Sequence, residues 1–259
     1  MRYVSRDKST MVDIETKPAP MEQLERIQPF DKDSWLREKK ASINSHKTYK
    51  AETKKKKLEA LEGDIEEQKK IHYAELARKA ALDPLMSEVL CITLSTEPGE
   101  VTLLRDGKDE RDMLVTFWRE LGSILFLPEE DRLLGKPEEE SGTIIWWNGF
   151  EFDLPFLIAR TRILDVSHEI PWHTVVDERG YWNQEYFMDL REIWCGRYNR
   201  KARGTLSQIA RAMGHPGKSE HSGELIWELW GKDRKRAMFY ITSEMQAMWD
   251  VAYTLGVLK

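Results

Sequence analysis

Hydrophobic and polar positions divide the chain into three regimes. Residues 10–16 (TMVDIET) read as a short strand that opens into the turn-prone Lys17-Pro18-Ala19-Pro20. Residues 21–80 are dominated by Lys, Glu, Gln and Ala and hold one glycine, Gly63. That composition predicts two or three long helices with an early break at Pro29. Leu58, Leu61 and Ile65 trace one narrow apolar stripe there, enough to pack on a neighbour but not for an independent core. From Ser87 the pattern becomes that of strands. Residues 89–94 and 101–104 flank the turn Glu97-Pro98-Gly99-Glu100 and predict a hairpin. Met113, Leu114, Phe117, Trp118 and Leu121 stand at helical spacing, and residues 128–142 read as an acidic surface loop. Residues 143–147 (TIIWW) form a continuous apolar run, as in a central strand covered on both faces. Residues 152–164 look helical, and from Leu206 onward three helical stretches are broken at 214–217 and at Gly231.

Three or four strands alternating with helices predict a layered α/β domain. Its boundaries are expected at 1–20 and 81–259, with 21–80 as a charged helical insertion after the first strand. An apolar fraction of 41% and ten tryptophans exclude a wholly disordered chain, and 33% charged residues imply a wet surface. No run approaches the roughly twenty apolar residues of a membrane span, and no apolar stretch follows the N-terminal basic residues, so a cytoplasmic setting is expected. Cys91 and Cys195 offer neither a disulfide framework nor a zinc motif. A net charge of −5 argues against non-specific coating of nucleic acid, which draws on Lys and Arg. It leaves room for a carboxylate site whose positive charge comes from metal ions.

Asp13 and Glu15 are two apart on a strand and leave the same face. Paired carboxylates repel each other unless a cation joins them, and hard divalent ions such as magnesium favour such oxygen donors. Taken alone, Asp-x-Glu equally describes an exposed strand with solvated charges. A second element, Asn148-Gly149-Phe150-Glu151-Phe152-Asp153-Leu154-Pro155-Phe156-Leu157, directly follows the apolar strand. Together the two elements resemble the first two exonuclease motifs of the DnaQ-like (DEDD) 3'-5' exonuclease superfamily. The nearest likeness is to stand-alone exonucleases related to the proofreading domain of family B DNA polymerases. In that family the C-terminal helix supplies the last carboxylate, commonly as Tyr-x-x-x-Asp-Val with a Thr four residues after the Asp; Asp250, Val251 and Thr254 fit. The likeness extends over roughly residues 8–20 and 82–258.

The resemblance implies an RNase H-like fold, a mixed sheet flanked by helices, with Asp13, Glu15, Asp153 and Asp250 binding two Mg2+ ions for which Mn2+ substitutes. It implies that Thr16 contacts the terminal nucleotide and that Asn148 and Phe152 bind the strand; Asn148 equally suits a turn cap and Phe152 a core aromatic. The family orients the attacking water with Tyr four residues before the last Asp or His five before it, and Gln246 and Met245 stand there instead. Gln246 shares a helix face with Asp250, so its amide can hydrogen-bond the water without taking its proton. Three routes follow: the metal ions suffice alone, His215, His221 or Tyr240 substitutes, or activity is weak or lost. Asp189, which opens Asp189-Leu190-Arg191, reads as a helix cap or Arg partner.

Arg197, Arg200, Lys201 and Arg203, interleaved with Tyr198, suit phosphate contacts and base stacking. Residues 54–57 and 232–236 are further basic runs; the 197–203 segment fits a solvated face equally well, and the two runs fit one better. The activity implied is hydrolysis of DNA from single-stranded or frayed 3' ends to nucleoside monophosphates. The alternatives are an exoribonuclease of the same superfamily and a catalytically impaired nucleic-acid-binding or partner protein. The insertion offers a surface for DNA, for a protein partner or for self-association.

Overall fold

The computed structural model describes residues 4–61, 63–104, 109–125, 142–177, 179–196, 204–218 and 226–259. In chain order the elements are β1 (Ser9–Pro18), α1 (Met21–Ile27), α2 (Lys32–Ser45), α3 (Ala51–Ala60), α4 (Ile65–Ala80), β2 (Ser87–Ser95), β3 (Thr102–Leu104), α5 (Glu110–Leu125) and β4 (Thr143–Trp146). There follow α6 (Asp153–Ile163), α7 (Trp172–Val175), β5 (Phe187–Asp189), α8 (Leu190–Cys195), α9 (Leu206–Ala212), α10 (Ile226–Lys232) and α11 (Arg234–Thr254). Two compact units result: Met1–Lys17 with Glu88–Lys259, and Pro18–Ser87.

In the first unit the described strands form one mixed sheet in the order β3-β2-β1-β4-β5. β1 and β4 run parallel with Met11 opposite Ile145, β4 and β5 run parallel with Trp146 opposite Asp189, and β2 and β3 are antiparallel. Alternation along β1 sends successive side chains to opposite faces. Val12 and Ile14 join Ile144, Trp146 and Phe187 under α5 and α6, where Leu114, Phe117 and Leu157 close the core. Met11 joins Ile145 and Met188 on the other face, against Leu206 and Ile209 of α9 and Met245, Met248 and Val251 of α11. Buried hydrogen bonds fix both layers: Trp118 Nε1 donates to Thr161 Oγ1 at 2.8 Å, and Trp249 Nε1 to Ser95 Oγ at 2.8 Å. This is the α/β arrangement expected, a mixed sheet with helices on both faces.

Several details differ from the expectation. β5 is an additional strand; three residues are too few to show a period, and its extended conformation comes from pairing with β4. The last break in the helices falls at Asp233, whose side chain accepts from Arg236 N–H, while Gly231 lies inside α10. Residues 126–141, most of the expected acidic loop, lie outside the described residues. No described helix is long and apolar enough to cross a membrane.

The second unit holds four described helices, α1 to α4, rather than two or three. Leu58, Leu61 and Ile65 straddle the break between α3 and α4, so they make no stripe on one helix. Its buried cluster is Ala19, Leu24, Tyr73, Leu76 and Ala80. Ala19 N–H donates to Met86 O at 2.9 Å, joining the two ends of the unit.

Candidate active site

The face of β1 that carries Met11 continues into Asp13 and Glu15, and α11, which packs on Met11, brings Glu244 to the same place. Donor oxygens of Asp13, Glu15 and Glu244 lie within 4.8 Å of one another. Glu15 is buried, and its Oε1 has no hydrogen-bond partner among the described residues. Burial first, then the charge of Glu244 and of Asp153, holds the Glu15 carboxyl well above its ordinary range, with Lys218 acting against them. Asp13 is raised well above its ordinary value by burial and by Glu244, Asp153 and Glu15. Carboxylates this close cannot all ionise without a cation among them.

Asp153 enters from the turn after β4. It is buried, and its Oδ1 accepts the N–H of Ile14, the residue between Asp13 and Glu15, at 3.2 Å. Burial pushes its pKa up to about 8 against the opposing pull of the Ile14 N–H. The turn that delivers it is tightly determined. Asn148 adopts φ +63°, and a Cβ on Gly149 would stand 2.4 Å from the Trp146 side chain, which leaves room only for glycine. Asp189 locks the turn to α8: one oxygen accepts from Asn148 and Arg191 N–H at 2.9 Å each, the other from Phe150 N–H at 3.1 Å. Asp189 is thus the cap of α8, and burial holds its carboxyl above the usual range despite these donors.

Lys218 and Tyr240 complete the pocket. Lys218 Nζ donates to Glu244 Oε1 at 2.7 Å and to Tyr240 Oη at 2.7 Å. Burial alone would depress the ammonium, but Glu244, Asp13 and Glu15 together hold it above its ordinary value. Tyr240 is raised strongly by burial and then by Glu244 and Glu15, so its hydroxyl stays protonated and serves as a donor rather than a base.

The expected fourth carboxylate, Asp250, is not among the three whose oxygens converge. Asp250 stands apart from the cluster: Gln246 Nε2 donates to its Oδ1 at 2.9 Å, and His215 Nδ1 lies 3.8 Å from its Oδ2. Helix geometry gives the reason. Six residues correspond to about 600°, or a third of a turn out of phase, and about 9 Å along the axis. A helix that points Glu244 at Asp13 therefore turns Asp250 elsewhere, and Gln246 goes with Asp250. The Tyr-x-x-x-acid spacing expected for the last motif is present six residues earlier, at Tyr240 and Glu244, with Glu in place of Asp. That spacing was the signal for Glu244; Lys218 carried none beyond its place in a Gly-Lys pair.

Thr16, expected at the terminal nucleotide, is buried on β1. Phe152 precedes α6 as its N-cap residue and packs on Phe156 with ring centroids 5.5 Å apart, so it serves the core at least in part. Asn148 accepts a hydrogen bond from Arg191 Nη1 and lines a surface cleft with Glu151, Arg191 and Glu192. His215 bonds Thr254 Oγ1 at 2.8 Å. Arg197, Tyr198, Arg200, Lys201, Arg203 and His221 lie outside the described residues.

A donor set made only of carboxylate oxygens, one buried and unpartnered, with carboxyls raised first by burial and then by mutual repulsion, fits a hard divalent cation. Residues 131–244 match a family described as a predicted 3'-5' exonuclease related to the exonuclease domain of PolB. No curated protein is significantly similar in sequence. Among solved structures, the family B DNA polymerase from the hyperthermophilic archaeon Pyrobaculum calidifontis is similar with a TM-score of 0.48 and 20% identity. The similarity covers 69% of this chain and 23% of the polymerase, so the chain spans about a quarter of that protein.

Proposed function

We propose that this chain, related through residues 131–244 to the PolB exonuclease domain, hydrolyses DNA from unpaired 3' ends to nucleoside monophosphates. The reading rests on one observation above all: Asp13, Glu15 and Glu244 converge to within 4.8 Å around an unpartnered buried oxygen. Asp13, Glu15, Asp153 and Glu244 would hold two divalent ions, Mg2+ or Mn2+. When bound, such ions supply Lewis acidity that makes the attacking water more acidic and offsets negative charge on the phosphate.

The chain's own groups do the rest. The Ile14 N–H fixes the Asp153 carboxylate from the strand side. Lys218 and Tyr240 together orient Glu244. With its proton retained, the Tyr240 hydroxyl donates it to Glu244 and holds that carboxylate in place. Asn148 and Phe152, beside Asp153 in the sequence, are proposed to meet the terminal nucleotides, with Thr16 next to Glu15.

The test is digestion of 5'-labelled single-stranded DNA and RNA with Mg2+ or Mn2+, with Asp13→Ala as control. A ladder shortening from the 3' end with wild type and none with the control is expected. An intact DNA oligomer with both proteins from neutral to alkaline pH defeats the reading, and faster loss of RNA moves the substrate to that polymer.

A further inference from the structure

We infer that the α2–α3 hairpin of the Pro18–Ser87 unit is a binding site for the phosphate backbone of a nucleic-acid strand. Residues 32–60 carry ten Lys or Arg against four Asp or Glu, a net of +6, while the whole chain is −5. The other residues therefore carry −11 between them, and the hairpin is the positive pole of an acidic protein.

Packing does not account for the hairpin. Neither α2 nor α3 buries a single residue. Polar contacts hold it instead: Lys54 Nζ of α3 reaches Asn44 O of α2 at 2.6 Å, and in the connecting loop His46 stacks on Tyr49 at 3.9 Å with Lys57 Nζ 4.4 Å over the Tyr49 ring. Nor do internal ion pairs absorb the charge. Lys56 pairs with Glu52 and Lys55 reaches Glu59 at 4.0 Å, both on the exposed surface. Among the described residues, Lys32, Arg37, Lys39, Lys40, Lys47 and Lys50 have no anionic partner. Steps of about 100° spread the four lysines at 54–57 around one turn of α3, and two glutamates only partly offset their mutual repulsion. Lys40, Lys54 and Lys55 line an open groove between the two helices with Asn44, Leu58 and Glu59, so three ammonium groups outnumber its one carboxylate and face a strand from both helices.

A polyanion answers each of these features, because neutralising phosphates releases condensed counterions and removes the internal repulsion. The apolar residues of α2 and α3, Trp35, Leu36, Ile43 and Leu58, are half-buried and scattered among charges, whereas a protein interface is built around an apolar core. The choice of nucleic acid over another polyanion rests on the function proposed above.

Fluorescence anisotropy of a labelled single-stranded DNA oligonucleotide, with the full chain in EDTA, tests the site apart from catalysis. Comparison is between wild type and Lys39→Gln/Lys40→Gln/Lys47→Gln/Lys50→Gln, all exposed positions. At about 100 mM salt the variant is expected to bind at least about tenfold more weakly. Its plot of log affinity against log salt should be shallower by about 3, since each of the four phosphates left without its lysine removes about 0.7 from the slope. The four Lys→Arg replacements should restore binding. Equal affinity and slope for wild type and Gln variant, or no binding by wild type, overturns the inference, as does preferential binding to anionic phospholipid vesicles. Hydrolysis by both proteins with equal KM sinks the hairpin and leaves the nuclease standing, whereas hairpin-dependent binding without hydrolysis does the reverse.

Discussion

Lys218 and Glu244 form a 2.7 Å ion pair beside Asp13 and Glu15, so the pocket contains a cation of its own. One ammonium faces at least three carboxyls, and the imbalance sets the behaviour expected of the metal-free protein.

Removing that ammonium should expose the imbalance. Lys218→Met leaves Glu244 without its partner, at a cost of about 2–4 kcal/mol for a mostly buried pair broken on one side. In EDTA the urea midpoint should fall, and the thermal shift on adding Mn2+ should grow, because the metal then meets less competing charge. An unchanged midpoint would show that the pair contributes nothing.

Stability without metal should decline as pH rises. Asp153 keeps its proton up to about pH 8 when folded but releases it near 3.8 when unfolded. Between these values the folded state binds more protons than the unfolded, so raising pH favours unfolding by up to about 1.4 kcal/mol per unit. Asp13 and Glu15, raised in the same direction, add to the slope. Denaturant midpoints in EDTA should therefore drop from about pH 5 to about pH 8. Saturating Mn2+ should flatten the curve, since ions hold the carboxylates ionised in the fold.

Glu244→Gln and Asp250→Asn separate the two acids of α11. The first should lower exonuclease turnover by about 100-fold or more, at or beyond the loss caused by perturbing a metal ligand's outer partner. The second should stay within a few-fold of wild type. The reverse ranking would return the metal site to Asp250.

Gly149→Ala tests the turn. A methyl group 2.4 Å from fully buried Trp146 forces the ring or the backbone to move. About 1–3 kcal/mol of stability should be lost in chemical denaturation.

Asp189→Ala strips the acceptor from the N–H groups of Asn148, Phe150 and Arg191. A loss of about 2–4 kcal/mol is expected from unsatisfied buried donors and a missing cap. KM for the oligonucleotide should rise if the 148–153 turn meets the strand.

The sheet was legible wherever strands are long enough to show a period: residues 10–16, 89–94 and 143–147 all lie on β1, β2 and β4 or run one residue past their ends. β3, only three residues long, was marked by the turn at 97–100 beside it, whereas the three residues of β5 have no such turn and are extended through pairing with β4. Strand alternation alone put Asp13 and Glu15 on one face, whereas Asp153 came from the likeness of residues 148–157 to a family motif. Glu244 could not be ranked above Asp250 by residue type, since helix phase decides between them and the phase is set by where Met245, Met248 and Trp249 bury. Charge composition marked out the 21–80 region, but its internal core came from Leu24, Tyr73 and Leu76, residues with no obvious period across separate helices.

The hydrogen bond from Ala19 to Met86 means that the helical region enters and leaves the chain at one point. To the strands on either side, everything between behaves like a hairpin turn of unusual content. Such a region can be lengthened, exchanged or pared to a few residues over evolutionary time while the carboxylate-bearing strand keeps its place, which lets one catalytic scaffold acquire new attachments without being rebuilt.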